Sequence, residues 1–284
     1  MAPHQASAEW LEKEYNPRAS VKDIQKYFQN ATERSQAARV KLRGILDRPY
    51  GSAPKMTMDI FPASPGSPIH VFIHGGFWRA RDKSDYTFLA ETLVEHGVTV
   101  VVANYSLCPA VRVSDIVDEM VALFTWVEEN REELGGGERI VASGHSAGAH
   151  LIAMAHDPTL ARNLANGPVD HAILISGIYD LRPVTRISVN AEIGLTPQEA
   201  DRMSPMKFPP PASLTMDVVV GGEESGSWIG QSKQFADVVS NGSRKVRCAV
   251  LEGHNHYSIM EELMRPNSWL TELLVDRSFA RGGI

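Results

Sequence analysis

Residues 138–156 read ERIVASGHSAGAHLIAMAH: an apolar run, a serine bracketed by two glycines, then an alanine-rich segment. The pattern predicts a strand, a sharp turn and a helix, with Ser146 at the apex. The spacing Gly144-His145-Ser146-Ala147-Gly148 is that of a nucleophile elbow, a strained turn that projects a serine hydroxyl into a site. Both glycines follow from that geometry, because a side chain at either position would collide with a neighbouring strand or helix where the chain reverses so tightly. The helix predicted over 147–156 starts beside the serine, and its first N–H groups favour negative charge developing there. The pentapeptide also fits an ordinary strand-to-helix turn, so partners elsewhere in the chain must decide whether it carries chemistry.

Outward from this stretch the texture repeats. MTMDIF (56–61), IHVFIH (69–74), VTVVVANY (98–105), RIVASG (139–144), HAILIS (171–176), MDVVVG (216–221) and VRCAVLE (246–252) read as strands. Several are apolar on both faces, as strands of a parallel sheet covered by helices should be. Between them, 84–96, 113–130, 147–156, 229–241 and 257–275 carry apolar residues at helical spacing, as in Val117, Val121, Leu123, Phe124 and Val127. The alternation predicts one α/β domain over 1–284, with a mostly parallel, doubly wound sheet. Residues 1–50 read as a helical arm, broken at Asn16-Pro17, whose aromatics pin it to the body. Residues 178–214 break the alternation, being rich in Pro, Arg and Met with one helical piece at 197–203. They read as a cap over the carboxyl edge of the sheet, where such folds bind ligands.

Composition narrows the function classes. The chain has 284 residues, a net charge of −6 and 43% hydrophobic residues, enough for a full core. No basic patch or run of like charge argues for nucleic acid or a membrane surface, and no apolar run approaches the ~20 residues of a span. The expected partner is a small-molecule substrate, and the oligomeric state stays open, a homo-oligomer included. The polar N-terminus lacks the apolar region of a secretory signal and points to the cytoplasm. Cys108 and Cys248 are too few for a disulfide framework and too scattered for zinc, and read as reduced core residues.

Acyl transfer by serine needs a base for the hydroxyl proton, an acid to orient that base, and donors for the oxyanion. The partners of an elbow serine follow it in the order acid, then histidine, at the carboxyl ends of strands. VVVGGEES ends in Glu223 and Glu224, and the next strand, VRCAVLEGHNHYS, ends in His254 and His256. Glu224, third after Gly221, is the favoured acid; Asp180 is the reserve. For the oxyanion, the N–H of Ala147 would combine with those of Gly75 and Gly76 in the turn His74-Gly75-Gly76-Phe77-Trp78. His74, Phe77, Trp78, Tyr179 and Trp228, with Tyr15 of the arm, would meet the substrate, while Arg182, Arg186 and Asn190 of the cap read either as a solvated cap surface or as partners for a carboxylate. His254-x-His256 is half a metal site with no third ligand at suitable spacing, so neither metal nor other cofactor is expected.

HGGFW, ANYSL, GHSAGAH, GGEESGSWIGQS and GHNHYSIMEE together resemble the kynurenine formamidase (arylformamidase) branch of the α/β-hydrolases, which is similar to hormone-sensitive-lipase-like esterases. The N-terminal EYNPR and the cap's IGLTPQEADRMSP resemble bacterial members. The resemblance implies cleavage of N-formylkynurenine to kynurenine and formate in tryptophan breakdown, with Ser146 as nucleophile, His256 as base and Glu224 as acid. The matching family segment puts the base directly before an aromatic, here Tyr257. One departure is that the family's acid is usually aspartate in a D-S segment followed by Q-S. Here Glu224-Ser225 and Gln231-Ser232 stand in those places. A carboxylesterase or amidase with the same triad is the alternative. A non-catalytic binding protein on this fold would require a lost triad member or a blocked pocket, and the sequence shows neither.

Overall fold

In a computed structural model, which describes residues 6–160, 167–240 and 246–279, the predicted strands form with their edges trimmed. They are β2 (Thr57–Phe61), β3 (Ile69–Ile73), β4 (Thr99–Ala103), β5 (Ile140–His145), β6 (His171–Ile175), β7 (Thr215–Gly221) and β8 (Arg247–Leu251). An eighth, β1 (Ile45–Pro49), lies in the stretch expected to be helical arm. It is mostly exposed, so no apolar alternation marked it. The sheet order is β1-β2-β4-β3-β5-β6-β7-β8. β2 runs antiparallel to β1 and β4, and every pairing from β4 to β8 is parallel.

Helices cover both faces of this sheet, which is why its strands are apolar on both sides. On β3, Ile69, Val71 and Ile73 face the layer built by α5 (Val113–Glu129), α6 (Ala147–Ala155) and α9 (Gly226–Val239). Phe72 faces the opposite layer, with α4 (Phe88–Glu95) and α10 (Trp269–Ser278). Helix α5 buries Val113, Ile116, Val117, Met120, Leu123, Phe124 and Val127, the single stripe its sequence spacing predicts. The segment expected as one helix over 257–275 is two pieces, a 3-10 helix at Ser258–Met264 and then α10. Pro266 separates them, since proline lacks the N–H and clashes with the preceding turn. Residue 241, the expected end of the helix over 229–241, and residues 1–5 of the arm lie outside the described residues.

The arm comprises α1 (Ala8–Tyr15), α2 (Pro17–Ser20) and α3 (Ile24–Lys41). Asn16 ends α1 and caps α2 with its side-chain oxygen, accepting from the Arg18 N–H at 3.1 Å. Arg39 of α3 pairs with the fully buried Asp59 of β2, which also holds the Lys83 ammonium at 2.7 Å. Val40, near the end of α3, is exposed. Residues 178–214 hold more helix than expected: a 3-10 turn at Arg182–Arg186, α7 (Asn190–Ile193) and α8 (Pro197–Arg202). Among the described residues no helix is long and apolar enough to cross a membrane.

Candidate active site

Ser146 sits at the carboxyl end of β5 with φ 56° and ψ −115°, a conformation that non-glycine residues rarely adopt. The surroundings impose it: its N–H donates to the Ile175 carbonyl of β6 at 2.8 Å, and α6 begins at the next residue. Helix α6 presses so close to β3 that a Cβ at Gly148 would lie 2.1 Å from the Ile73 carbonyl oxygen. Glycine there is a condition of the elbow.

Two loops converge on this serine. After β8, the chain turns through Gly253 and brings His256 Nε2 to 3.0 Å from Ser146 Oγ. Its Nδ1 lies 2.7 Å from Oε2 of Glu224, which follows β7. A carboxylate only accepts, so Nδ1 carries the proton and Nε2 is left with a lone pair facing the serine hydroxyl. The other carboxylate oxygen, Oε1, accepts from Ser176 Oγ at 2.5 Å and from the Gly221 N–H at 2.9 Å. Both oxygens of a side chain only 2% exposed are therefore engaged. The alternatives point elsewhere: Glu223 is exposed, His254 faces Glu262 at 3.4 Å, and Asp180 is bound by Arg182.

Sequence reasoning missed two supports. Ser176, just past β6 with φ 49°, could have been noticed only as a strand-end polar residue. His145 donates from Nε2 to the His256 carbonyl at 2.8 Å, tying the histidine loop to the elbow. Burial, reinforced by the neighbouring His256, holds the His145 ring well below the usual imidazole range.

The turn after β3 lies against the elbow, with the Cβ position of Gly75 only 3.1 Å from that of Ser146. Gly76 has φ 123°, and Phe77 and Trp78 also take positive φ. Its carbonyls are anchored from behind. Tyr105 donates its hydroxyl to the His74 carbonyl at 2.9 Å, and His74 Nδ1 donates to the Gly75 carbonyl at 2.7 Å. A peptide's N–H and C=O point in opposite directions, so fixing each carbonyl fixes the next residue's N–H on the other side. Among the described residues, the N–H groups of Gly75, Gly76 and Ala147 donate to no other group of the chain.

A cavity of about 340 Å³ opens over Ser146. Of the six residues expected to meet substrate, Phe77 lines it, and five do not. His74 is fully buried behind the turn; Trp78 is fully buried with its indole N–H on His150 Nδ1 at 3.2 Å. Tyr179 stacks on Phe235, 4.0 Å between centroids. Trp228 donates to the Ser176 carbonyl at 2.9 Å and packs edge-on against the His256 ring. Aromatic size suggested substrate contact, but in each case core packing claimed the ring.

The arm, and not the cap, supplies the outer wall through Arg18, Gln25 and Phe28. Tyr15 is buried away from the cavity, and none of Arg182, Arg186 and Asn190 lines it. Arg182 binds Asp180, Arg186 donates to the Ala6 carbonyl, and Asn190 donates to the Thr185 and Leu195 carbonyls.

A mostly parallel sheet bearing a positive-φ serine at such an elbow defines a class, and the comparisons agree. The family profile described as alpha/beta hydrolase fold matches residues 70–224, more than half of the chain. Kynurenine formamidase from Danio rerio is 29% identical over 284 residues, covering 97% of this chain and 96% of that one. Its counterpart from Drosophila melanogaster is 30% identical, covering 73% of this chain and 72% of that one. Among solved structures, a thioesterase candidate from Silicibacter sp. superposes with a TM-score of 0.79 at 27% identity, over 93% of this chain and 98% of that one. The protein is a hydrolase of the alpha/beta hydrolase fold. Within that family the chain belongs to the kynurenine formamidase branch.

Proposed function

We propose that this hydrolase uses Ser146 as nucleophile, His256 as base and Glu224 as the orienting acid to cleave a small-acyl aryl amide, with N-formylkynurenine as the substrate. The observation that carries the reading is the continuous relay from Ser146 Oγ through His256 to Glu224, at 3.0 and 2.7 Å. The Ser146 oxygen attacks the formyl carbon while its proton passes to His256 Nε2. The oxyanion that forms is held by the N–H of Ala147 with those of the turn at Gly75 and Gly76. Collapse breaks the C–N bond, and His256 returns the proton to the departing arylamine. Water, deprotonated by the same nitrogen, then attacks the formyl ester, releasing formate and restoring Ser146.

Two further facts support the choice of substrate. Three kynurenine formamidases are 29–30% identical to this chain. The cavity, about 340 Å³, is at the small end of ligand sites and lined by the Phe77, Phe28, Tyr86 and Tyr257 rings, suited to a single aromatic ring. A formyl group needs little acyl space, so discrimination rests on the leaving group. The test compares kcat/KM for N-formylkynurenine and p-nitrophenyl acetate. The formamide should be favoured by at least about tenfold, ~1.4 kcal/mol of transition-state binding. If the ester is preferred, an ester or thioester hydrolase with the same triad replaces this reading.

A further inference from the structure

The cavity is electrostatically one-sided. Arg18, Arg79 and Arg81 line it, and among the described residues no carboxylate does. The three are not equivalent. Arg79 is already neutralised, its Nη1 lying 2.7 Å from Glu192 of α7. Arg81 meets Asp85 only at 3.4 Å through Nε, outside hydrogen-bond geometry, and its guanidinium carbon sits over the Phe28 ring, 4.0 Å from its centroid. The same guanidinium reaches the Tyr86 hydroxyl, and its remaining N–H groups, held against an aromatic face, suit a planar two-oxygen acceptor. Arg18, in the first turn of α2, makes no side-chain hydrogen bond or ion pair among the described residues.

These groups converge. Phe28 meets Tyr257 edge to face at 5.4 Å. Arg18, Arg81 and Tyr257 line the same cavity; burial raises the Tyr257 hydroxyl pKa, while the charges of Arg18 and Arg81 act on it in the opposite sense. Tyr257 follows His256 directly, so this corner of the cavity lies next to the base.

Resting on the reading of Ser146 as the nucleophile, we propose that Arg18 and Arg81, with the Tyr257 hydroxyl and Gln25 as further donors, form an anion subsite that binds a carboxylate on the leaving group. The acyl group then lies at the oxyanion turn and the aromatic ring between Phe77 and Phe28, its acidic substituent directed at the arm. An exposed arm residue and one seated over a ring divide the work: Arg81 sets the direction of the carboxylate, and Arg18 supplies attraction from the outer wall.

The experiment uses two matched pairs of substrates, aryl acetates and formanilides, each carrying either a carboxylate or an isosteric carboxamide on a short side chain. The readout is the ratio of kcat/KM within each pair, taken for wild type, Arg18→Gln, Arg18→Glu and Arg81→Gln. Wild type should favour the carboxylate at least about tenfold. Arg18→Gln and Arg81→Gln should each reduce the ratio several-fold, and Arg18→Glu should bring it to unity or below. Arg18 is a surface residue of a short helix, so its two variants keep the test valid even if Arg81→Gln does not fold. A wild-type ratio near one in both pairs, or a ratio untouched by the Arg18 variants, overturns the subsite. If the acetates show the preference and the formanilides are not cleaved, the subsite stands and the formamidase reading fails.

Discussion

Ser176 donates its hydroxyl to Glu224 Oε1 at 2.5 Å, so the carboxylate that meets His256 is itself held from behind by a residue of the adjacent strand end. Hydrogen bonds to a charged group are worth roughly 1.5–3 kcal/mol. Ser176→Ala should therefore lower kcat about tenfold to a hundredfold, with KM nearly constant because Ser176 does not line the cavity. An alanine variant as active as wild type would show that Gly221 alone suffices to orient Glu224.

Ser146→Ala is expected to reduce turnover by about four to six decades, leaving only what binding and the oxyanion donors provide. His256→Ala should match it, and His254→Ala should not, because His254 points to Glu262. Steady-state rates on one ester decide this, and activity within tenfold of wild type in Ser146→Ala would sink the mechanism.

The two adjacent glutamates offer a cleaner contrast. Glu224→Gln keeps the shape but replaces one acceptor of the Nδ1 proton by a donor, so orders of magnitude in kcat should vanish. Glu223→Gln should change little, since that side chain is exposed. Comparable losses in both would leave the orienting acid unassigned.

Most of this site was legible because its parts are local signals. Gly144-x-Ser146-x-Gly148 demands a close approach that only glycine permits, and the strand-end positions of Glu224 and His256 follow from apolar runs that stop just before them. What was not legible depended on distance. Nothing in the run of residues 17–28 says that Arg18, Gln25 and Phe28 fold over Ser146, more than a hundred positions away. Trp78, Tyr179 and Trp228 were misplaced for the converse reason. A large ring beside a catalytic motif looks the same in sequence whether it faces substrate or fills core, and only the neighbours His150, Phe235 and Ser176 decide. β1 escaped because an exposed five-residue edge strand has no periodicity to show.

Asp59 is fully buried and gathers Arg39 from the arm, Lys83 from the 3-10 helix Lys83–Asp85 and the Asp47 N–H from β1. Removing the carboxylate leaves the buried Lys83 with Asp47 as its remaining carboxylate partner and Arg39 with Thr87, so the cost should approach the lower end of the about 3–5 kcal/mol of a broken buried pair. Asp59→Ala should lower the urea midpoint accordingly. A shift below about 1 kcal/mol would mean that water replaces the carboxylate without penalty.

Stability should also respond to acid earlier than carboxylate titration alone would produce. His70, His74 and His150 are fully buried, and burial lowers their pKa values to about 3, about 4 and about 4. His150 shows why the neutral form is required: Nδ1 accepts from the Trp78 indole while Nε2 donates to the Met203 carbonyl at 2.8 Å. A second proton would break the first of these bonds. Because the folded pKa lies below the unfolded value of about 6.5, the unfolded chain binds more protons in between, and stability rises with pH across that window. The contribution is complete above about pH 6.5 and is lost as pH falls toward 4, by about 1.4 kcal/mol per unit for each histidine. Asp217, held to about 2 by its bonds to His171 and Arg277 despite its burial, adds its own loss only below the ordinary carboxylate range. Urea midpoints at pH 7.5, 6 and 5 should therefore fall steeply between the last two, and His150→Gln should flatten that slope by about one histidine's share. Equal stability at pH 7.5 and 5 would show that these rings take up protons in the folded protein without cost.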